Sequence, residues 1–276
     1  MSSKIEELRK LRNNIELVVN GDPTVLHEAP TIVITNHNCL KDIFYLPMSL
    51  SKETQIISLI SSRLIYKNEK ERQNLVNKYL YSMPIEAHGG KSYVNLCLNS
   101  AAKLLYEGNN LNVFPEGAYI DDKEHVYKGR TGAIRILFSA KEKGSHPNIV
   151  PIALAVDSVD NNLDSYDLST HDKVVVNILK PINYNDAYYD YKNSANLQEK
   201  NINLHKVIDT GMMAIANSLD REYIDSYIEL YPKGNVIFAD GKKIDTNIAQ
   251  NQSYILQYKN DIEKRSKSLK KVLNKI

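Results

Sequence analysis

The chain has 276 residues, of which 42% are hydrophobic and 25% charged, and its formal net charge is only +2. This composition fits a globular protein with one sizeable core, and the weak basic excess argues against nucleic acid as a partner. The two cysteines, Cys39 and Cys97, are too few for a disulfide framework and lack metal-ligand spacing. We therefore expect a reducing, cytoplasmic setting and no metal.

The beginning of the chain is charged, and no later stretch has the roughly 18 consecutive apolar residues of a membrane-spanning helix. Ile5, Leu8, Leu11 and Ile15 recur at helical spacing with basic residues between them. This spacing predicts a short amphipathic N-terminal helix. A lipid substrate would then be reached peripherally, from the membrane surface, or be delivered by a carrier.

Apolar runs and helical patterns alternate through the body of the chain. The predicted strands are residues 31–35, 55–60, 83–86, 111–114, 149–156 and 173–179. The predicted helices follow residue 42 and then cover residues 75–80, 92–106, 133–141 and 204–218. Such alternation predicts an α/β fold with a mostly parallel central sheet flanked by helices. Four tyrosines are predicted to pack at the surface and rim: Tyr184, Tyr188, Tyr189 and Tyr191.

We expect residues 1–231 to form this α/β domain and residues 232–276 to add a polar stretch and a basic C-terminal helix. Residues 254–276 carry seven Lys and Arg against Asp261 and Glu263. Three interpretations of this last helix stay open. It is a solvated helix packed on the body, an interfacial helix that contacts anionic lipid, or a helix that binds a partner.

A histidine and an aspartate follow the first buried strand directly. In residues 36–42 (NHNCLKD), His37 lies at the strand-to-helix junction and Asp42 comes about one helical turn later. A carboxylate on one ring nitrogen would fix the tautomer and leave the other nitrogen free to accept a proton from a hydroxyl. The spacing equally allows a junction histidine that only caps the next helix.

Two further segments carry candidate residues, one at the end of a predicted strand and one within another. Residues 114–117 (FPEG) form a predicted turn that places Glu116 at the mouth of a strand, where it can accept a hydroxyl hydrogen bond or hold a basic residue. Pro151, in the apolar strand 149–156, is positioned to shape an acyl slot. A simple turn and an ordinary core strand are the alternatives.

Taken together and in this order, the three segments resemble the glycerolipid acyltransferase family, which includes the 1-acylglycerol-3-phosphate acyltransferases. The matching motifs are N-H-x4-D at residues 36–42, F-P-E-G at residues 114–117 and V-P-I at residues 150–152. The resemblance covers about residues 15–215. It implies an α/β fold and direct acyl transfer from acyl-CoA or acyl carrier protein to a hydroxyl of a lysophospholipid, such as 1-acylglycerol-3-phosphate, without a cofactor.

The resemblance also implies roles for individual residues. His37 would be the catalytic base and Asp42 its partner. The residues implied in substrate binding are Asn36, Phe114, Pro115, Glu116, Gly117, Lys128, Arg130 and Pro151.

Two departures from the family pattern concern positive charge. In members of the family, Thr-Arg-Ser usually follows F-P-E-G, whereas here Ala118 and Tyr119 follow. The family also tends to have an arginine just after a short strand, and in this chain Ala87 lies near that position. Lys91, Lys128 or Arg130 are candidate substitutes because a phosphate needs charge more than one particular side chain. A neutral or zwitterionic acceptor is the alternative.

Two rival functions remain at this point. Cys39 lies between His37 and Asp42, so a thiol hydrolase is one rival. The other is a non-catalytic lipid-binding or scaffolding protein with the same fold.

Overall fold

The computed structural model describes residues 4–11, 15–50, 54–61, 70–85, 91–119, 122–157, 167–168 and 171–228. The strands are β1 (Ile15–Asn20), β2 (Thr31–Thr35), β3 (Ile56–Ser61), β4 (Tyr81–Ile85), β5 (Asn110–Val113), β6 (His125–Tyr127), β7 (Asn148–Asp157), β8 (Asp172–Ile178) and β9 (Glu222–Ile224). The α-helices are α1 (Lys4–Lys10), α2 (Asp42–Ser49), α3 (Lys70–Tyr79), α4 (Lys91–Tyr106), α5 (Gly132–Glu142), α6 (Asn185–Asn193) and α7 (Leu197–Ser218).

Seven strands form one sheet in the order β1-β8-β7-β2-β5-β3-β4. The strands from β7 to β4 are parallel to one another, whereas β8 is antiparallel to β7 and β1 is parallel to β8. Helices cover both faces, so the fold is α/β with a mostly parallel central sheet, as predicted. The two short strands β6 and β9 form a separate parallel pair.

The central strand β2 shows why this sheet is buried on both sides. Ile32 and Ile34 pack into the core beneath α4, α5 and α7, while Val33 packs into the opposite core with α2. Successive side chains of a strand point to opposite faces, so a strand between two helical layers must be apolar throughout. Ile32, Val33 and Ile34 meet that requirement at the centre of the strand, and Thr31 and Thr35 at its ends are buried as well.

The structure corrects the prediction at the N-terminus. Helix α1 ends at Lys10, and Ile15 opens strand β1 instead of continuing the helical pattern. Ile15 pairs with Asp172 of β8. Pairing along a sheet edge therefore overrides the local periodicity, which indicated a helix.

The tyrosines predicted at the surface divide into two groups. Tyr184 and Tyr188 are buried at 8% and 9% exposure, while Tyr189 is 61% exposed. The ring of Phe138 on α5 contacts Tyr184, Tyr188 and Tyr191. The rim prediction is thus wrong for Tyr184 and Tyr188, which close the core between α5 and α6.

Within the described residues, no helix is both long enough and apolar enough to cross a bilayer. The predicted C-terminal basic helix and the polar stretch before it lie outside the described residues.

Candidate active site

The two candidate motifs meet at one edge of the sheet. β2 ends at Thr35 and β5 ends at Val113, and these strands are adjacent and parallel. The carboxyl ends of parallel strands lie at the same edge, where α/β folds bind their ligands. The loop after β2 carries His37, and the turn after β5 carries Glu116.

His37 and Asp42 form a buried hydrogen-bonded pair. Nδ1 of His37 lies 3.0 Å from Oδ2 of Asp42, whose side chain is fully buried. Because an ionised carboxylate can only accept hydrogen bonds, Nδ1 carries the proton of the neutral imidazole. Nε2 is then left with a lone pair that can accept a proton. Within the described part of the chain, Nε2 has no hydrogen-bond partner, and the His37 side chain keeps 10% exposure. The predicted geometry of the pair is confirmed.

Asp42 also shapes the loop that holds the histidine. Its Oδ2 accepts the backbone N–H of Asn38 at 2.6 Å and that of Cys39 at 2.9 Å. These bonds fold residues 37–41 around the carboxylate at the start of α2. Three donors on one oxygen hold the carboxylate in place and so fix the direction of the imidazole ring.

Glu116 joins the two motifs through backbone hydrogen bonds. Its Oε2 accepts the N–H of His37 at 2.8 Å, and its Oε1 accepts the N–H of Tyr127 at 3.0 Å. The side chain is 3% exposed. Burial raises the pKa of Glu116 to about 7, although these two bonds and the charge of Arg221 oppose the shift. In this structure Glu116 positions the histidine loop.

Asn36 fastens the same loop to β7. Its Oδ1 accepts the N–H of Leu154 at 2.8 Å, and its Nδ2 donates to the Leu154 carbonyl at 2.9 Å. Asn38 donates to the same carbonyl at 3.0 Å. The amide of Asn36 thus continues the β2–β7 pairing beyond the last residue of β2, and a substrate-binding role for it stays a prediction.

Aromatic side chains from the turn after β5 pack against the imidazole. The ring of Phe114 stacks on His37 with centroids 4.2 Å apart, and the ring of Tyr119 meets it edge-on at 5.4 Å. Gly117 has a φ of +77°, a backbone conformation that residues with a side chain rarely adopt. A Cβ at this position would lie 2.9 Å from Nε of Arg130. The F-P-E-G turn therefore needs its glycine, as its sequence suggested.

Lys128 and Arg130, two of the candidate phosphate ligands, have different surroundings in the structure. Lys128 forms ion pairs with Asp225 and, at 3.9 Å, with Asp209. The guanidinium of Arg130 lies 5.3 Å from the ring centroid of Tyr227. A lysine held by two carboxylates is a poor phosphate ligand. The Lys91 side chain and the region of Ala87 lie outside what the structure describes.

Sequence reasoning missed Arg221, which follows α7. Its Nη1 donates to Oδ1 of Asn38 at 2.9 Å and to the carbonyl of Asp122 at 3.1 Å. Asn38 is next to His37 in the loop, but Arg221 is 183 positions away from Asn38 in the sequence. No local pattern joins the two, so only the fold places this cation beside the histidine loop.

Cys39 does not fit the role of a nucleophile. It is 5% exposed, and its Sγ–H donates to Oδ1 of Asp42 at 3.4 Å. Burial, followed by the charge and hydrogen bond of Asp42, raises the pKa of the thiol far above its ordinary value. A thiol that stays protonated neither attacks a thioester nor hydrolyses one.

A buried ion pair lies directly behind the histidine loop. Nζ of Lys41 is 3.0 Å from Oδ2 of Asp172, and the Tyr45 hydroxyl donates to the same oxygen. Lys41 and Asp172 are each 1% exposed. The pair links the start of α2 to β8.

Pro151, the third predicted element, lies inside β7 opposite Ile34 of β2 and is buried. Its role in an acyl slot stays a prediction. Among the described residues, no group of three or more His, Cys, Asp and Glu is arranged to hold a metal ion.

Comparison with known proteins assigns the chain to a family. The model of the acyltransferase family matches residues 16–155, which are 140 of the 276 residues, and the chain belongs to that family. The match begins in β1 and ends just past Leu154, so it contains both motifs. The protein is therefore an enzyme, an acyltransferase.

Among the solved structures similar to this chain is that of the 1-acyl-sn-glycerophosphate (LPA) acyltransferase PlsC from Thermotoga maritima. It is 19% identical to this chain with a TM-score of 0.47, and the alignment covers 76% of this chain and 79% of that one. A search of curated proteins gave no match.

Proposed function

We propose that this enzyme transfers a fatty acyl group from an acyl thioester to a free hydroxyl of a lysophospholipid such as 1-acylglycerol-3-phosphate. The observation that carries the proposal is the His37–Asp42 pair at 3.0 Å, with Nε2 left without a hydrogen-bond partner among the described residues. A hydroxyl needs a base because its own pKa lies far above 7.

In the proposed reaction, Nε2 of His37 takes the proton of the acceptor hydroxyl as its oxygen attacks the thioester carbonyl carbon. The carbonyl oxygen becomes an oxyanion in the tetrahedral intermediate. The C–S bond then breaks, the ester carbonyl re-forms, and the thiolate leaves with the bonding electron pair. The imidazolium returns its proton to the thiolate or to solvent, while Asp42 stabilises the charged ring throughout. No acyl-enzyme forms.

The surroundings of His37 support a lipid reaction. Phe114 and Tyr119 pack around the ring, and an apolar wall of this kind excludes water that would otherwise hydrolyse the thioester. Acyl-CoA or acyl carrier protein would be the donor, as a co-substrate, and the reaction needs no cofactor. Access to the lysolipid is by peripheral contact with a membrane surface.

The test measures free thiol release from acyl-CoA, and in parallel from acyl carrier protein, by the purified enzyme. Acceptors are 1-acylglycerol-3-phosphate, a lysophosphatidylcholine and a monoacylglycerol of the same chain length. We expect thiol release only when an acceptor is present, together with a new ester identified by mass spectrometry. Acceptor-independent release would identify a hydrolase, and binding without release would identify a lipid-binding protein.

The matched variants are His37→Ala and His205→Ala. His205 lies on α7, where its Nε2 is 3.0 Å from the Tyr227 hydroxyl, and it is not one of the residues described above as holding the histidine loop. We expect His37→Ala to reduce turnover by about 100- to 10 000-fold, the typical contribution of general acid–base catalysis. His205→Ala should keep wild-type turnover. A folded His37→Ala enzyme with the wild-type rate would end the proposal.

A further inference from the structure

Lys41 is a buried charged residue directly beside Asp42. Its side chain is only 2% exposed, and its ammonium lies 3.0 Å from the carboxylate of Asp172, whose side chain is fully buried. Lys41 occupies one of the four unspecified positions of the N-H-x4-D motif. A lysine is almost never fully buried unless it is paired. The motif therefore does not account for a buried cation at this position.

The backbone of Lys41 begins helix α2. Its carbonyl accepts the N–H of Phe44 at 2.8 Å and the N–H of Tyr45 at 3.1 Å. Its side chain makes no capping hydrogen bond at the start of the helix and extends to β8 instead. Asp42 is the next residue and lies in the first turn of α2. A displacement of Lys41 therefore displaces the backbone of Asp42 with it.

Asp172 provides a fixed point for this helix turn. It is the first residue of β8 and is in register with Ile15 of β1, so its backbone belongs to the central sheet. Its Oδ2 accepts hydrogen bonds from the Lys41 ammonium and from the Tyr45 hydroxyl. Lys41 and Tyr45 are four positions apart, so they lie on one face of the helix. These bonds fasten the start of α2 to the sheet, and we call Lys41, Tyr45 and Asp172 the α2 anchor.

The hydroxyl of Tyr45 is a permanent donor in the α2 anchor. Tyr45 is fully buried, and burial raises its pKa far above the ordinary value, followed by the hydrogen bond and the charge of Asp172. The charge of Asp42 contributes to the same shift. The hydroxyl therefore stays protonated at neutral pH, and the carboxylates of Asp42 and Asp172 both lie close to the first turn of α2.

Asp42 extends from this turn toward the histidine. Its Oδ2 is 3.0 Å from Nδ1 of His37, and the same oxygen accepts the N–H groups of Asn38 and Cys39. Adjacent residues of a helix point in directions about 100° apart. Lys41 and Asp42 accordingly hold different partners, β8 in one direction and the histidine loop in the other. The first turn of α2 thus connects the sheet to the imidazole through two successive side chains.

Stability alone does not account for two buried charges in the α2 anchor. A buried ion pair loses much of its attraction to the cost of dehydration, and a well-packed apolar pair of similar size is often as stabilising. Apolar contacts do not provide direction, whereas hydrogen bonds fix both the distance and the angle between their groups. Catalytic groups need that precision, since they must be held within about 0.5 Å of the productive geometry.

We propose that the α2 anchor positions Asp42 against His37 and so keeps the general base aligned with the acceptor hydroxyl. This inference rests on the proposed role of the His37–Asp42 pair in acyl transfer. All three side chains of the anchor are buried, so they act through Asp42 and not on the substrate. Their loss should therefore lower kcat and leave KM nearly unchanged.

The kinetic test measures kcat and KM of purified Lys41→Met/Asp172→Val and Tyr45→Phe with acyl-CoA and 1-acylglycerol-3-phosphate. The double variant removes both charges and so avoids an unpaired buried carboxylate. We expect its kcat to fall about 10- to 100-fold, as a small misplacement of a catalytic group does, with KM changed by less than about twofold. Tyr45→Phe removes one hydrogen bond and should lower kcat about three- to tenfold.

Two controls separate positioning from general destabilisation. Leu104→Ala opens a cavity in the core on the other face of the sheet from α2, so it lowers stability but should leave the kcat of the folded enzyme unchanged. Lys192→Met breaks an exposed ion pair and should leave kcat and KM unchanged. A folded double variant with wild-type kcat would show that the α2 anchor only supports the fold and would overturn the inference. If the double variant does not fold, a wild-type kcat of Tyr45→Phe overturns it in the same way.

A spectroscopic measurement keeps this inference distinct from the proposed function. In wild type labelled with ¹⁵N-histidine, we expect the His37 signals of a ring protonated at Nδ1 and unprotonated at Nε2. In the double variant we expect a mixture of the two tautomers, whether or not acyl transfer occurs. If the His37 signals change in this way but wild type transfers no acyl group, the proposed function fails and the positioning role stands. If the His37 signals are the same in both proteins, the positioning role is refuted even where acyl transfer is confirmed.

Discussion

Oε2 of Glu116 accepts the backbone N–H of His37 at 2.8 Å, so the glutamate of one motif holds the histidine of the other. The two residues are 79 positions apart in sequence and lie on loops that follow neighbouring strands. The second oxygen of Glu116 holds Tyr127. The glutamate, in the turn after β5, therefore holds the loop after β2 and strand β6 through backbone N–H groups.

The first prediction concerns Glu116→Gln. A glutamine amide presents one acceptor and one donor group, so one of the two backbone N–H groups loses its partner. An unsatisfied buried donor costs about 1–3 kcal/mol, and we expect that loss of unfolding free energy in urea titrations near pH 4.5. We also expect kcat to fall about 10- to 100-fold, because a small displacement of a catalytic group costs rates of that order. The exposed Glu124→Gln is the control, and a similar loss there would contradict the argument.

The raised pKa of Glu116 makes part of the stability depend on pH. Its value is about 7 in the folded protein and near its ordinary 4.5 when unfolded. Between those two pH values the folded protein binds more protons at Glu116 than the unfolded chain does. The contribution of Glu116 to the free energy of unfolding is therefore complete below about pH 4.5 and is lost as the pH rises to 7. The stability of wild type relative to Glu116→Gln should therefore decline by about 3 kcal/mol across that window. Urea titrations at closely spaced pH values check this, and a constant difference would contradict it.

A third prediction concerns Asp42→Asn. The variant keeps the side-chain size but places an uncharged group against Nδ1 of His37. An NH2 group there would favour the other tautomer, and an amide oxygen would keep the tautomer but would no longer stabilise the imidazolium by its charge. We expect kcat to fall about 100- to 10 000-fold with little change in KM. Steady-state kinetics and ¹⁵N chemical shifts of the histidine ring check both points. An unchanged kcat with an altered tautomer would show that the proton is taken elsewhere.

The buried Lys41–Asp172 pair gives a fourth prediction, about stability. Lys41→Met leaves the Asp172 carboxylate buried without its cation and should cost about 3–5 kcal/mol. The double variant Lys41→Met/Asp172→Val removes both charges and should be more stable than Lys41→Met alone. Lys192→Met breaks the exposed pair with Glu142 and should cost less than about 1 kcal/mol. Equal costs at the two sites would contradict the role of burial.

The fifth prediction concerns Cys39. Because burial and Asp42 keep the thiol protonated, we expect Cys39→Ala to retain most of the wild-type turnover. Iodoacetamide at pH 8 should modify neither cysteine of the folded protein, since Cys97 is also buried. Both should react in urea. A loss of activity as large as that of His37→Ala would restore the thiol hydrolase as a rival.

The central strands were predictable because burial on both faces leaves a continuous apolar signal. Residues 31–35 were predicted as a strand and form β2. Strand β1 was missed because Val18 and Val19 are partly exposed and because Ile15 also fits the helical period of Ile5, Leu8 and Leu11. Strands β6 and β9, with three residues each, exist only through their pairing with each other.

The site was predictable where its contacts are local. His37 and Asp42 lie in one loop, so their spacing sufficed to predict the hydrogen bond. That Glu116 would lie at the mouth of a strand followed from the F-P-E-G turn after a predicted strand, but its bond to the backbone N–H of His37 did not. Arg221 belongs to a turn that the sequence does not link to the motifs, so the packing of α7 on the sheet was needed to find it.

The anchoring of the histidine loop has a consequence for regioselectivity. Asn36, Asp42 and Glu116 fix the loop to β7, α2 and the next turn, and Phe114 covers one face of the imidazole. A proton reaches a ring nitrogen along the plane of the ring, so the attacking oxygen has only a narrow approach. Because the imidazole cannot turn, only a hydroxyl in one position on the glycerol can reach Nε2. The product should therefore be a single positional isomer.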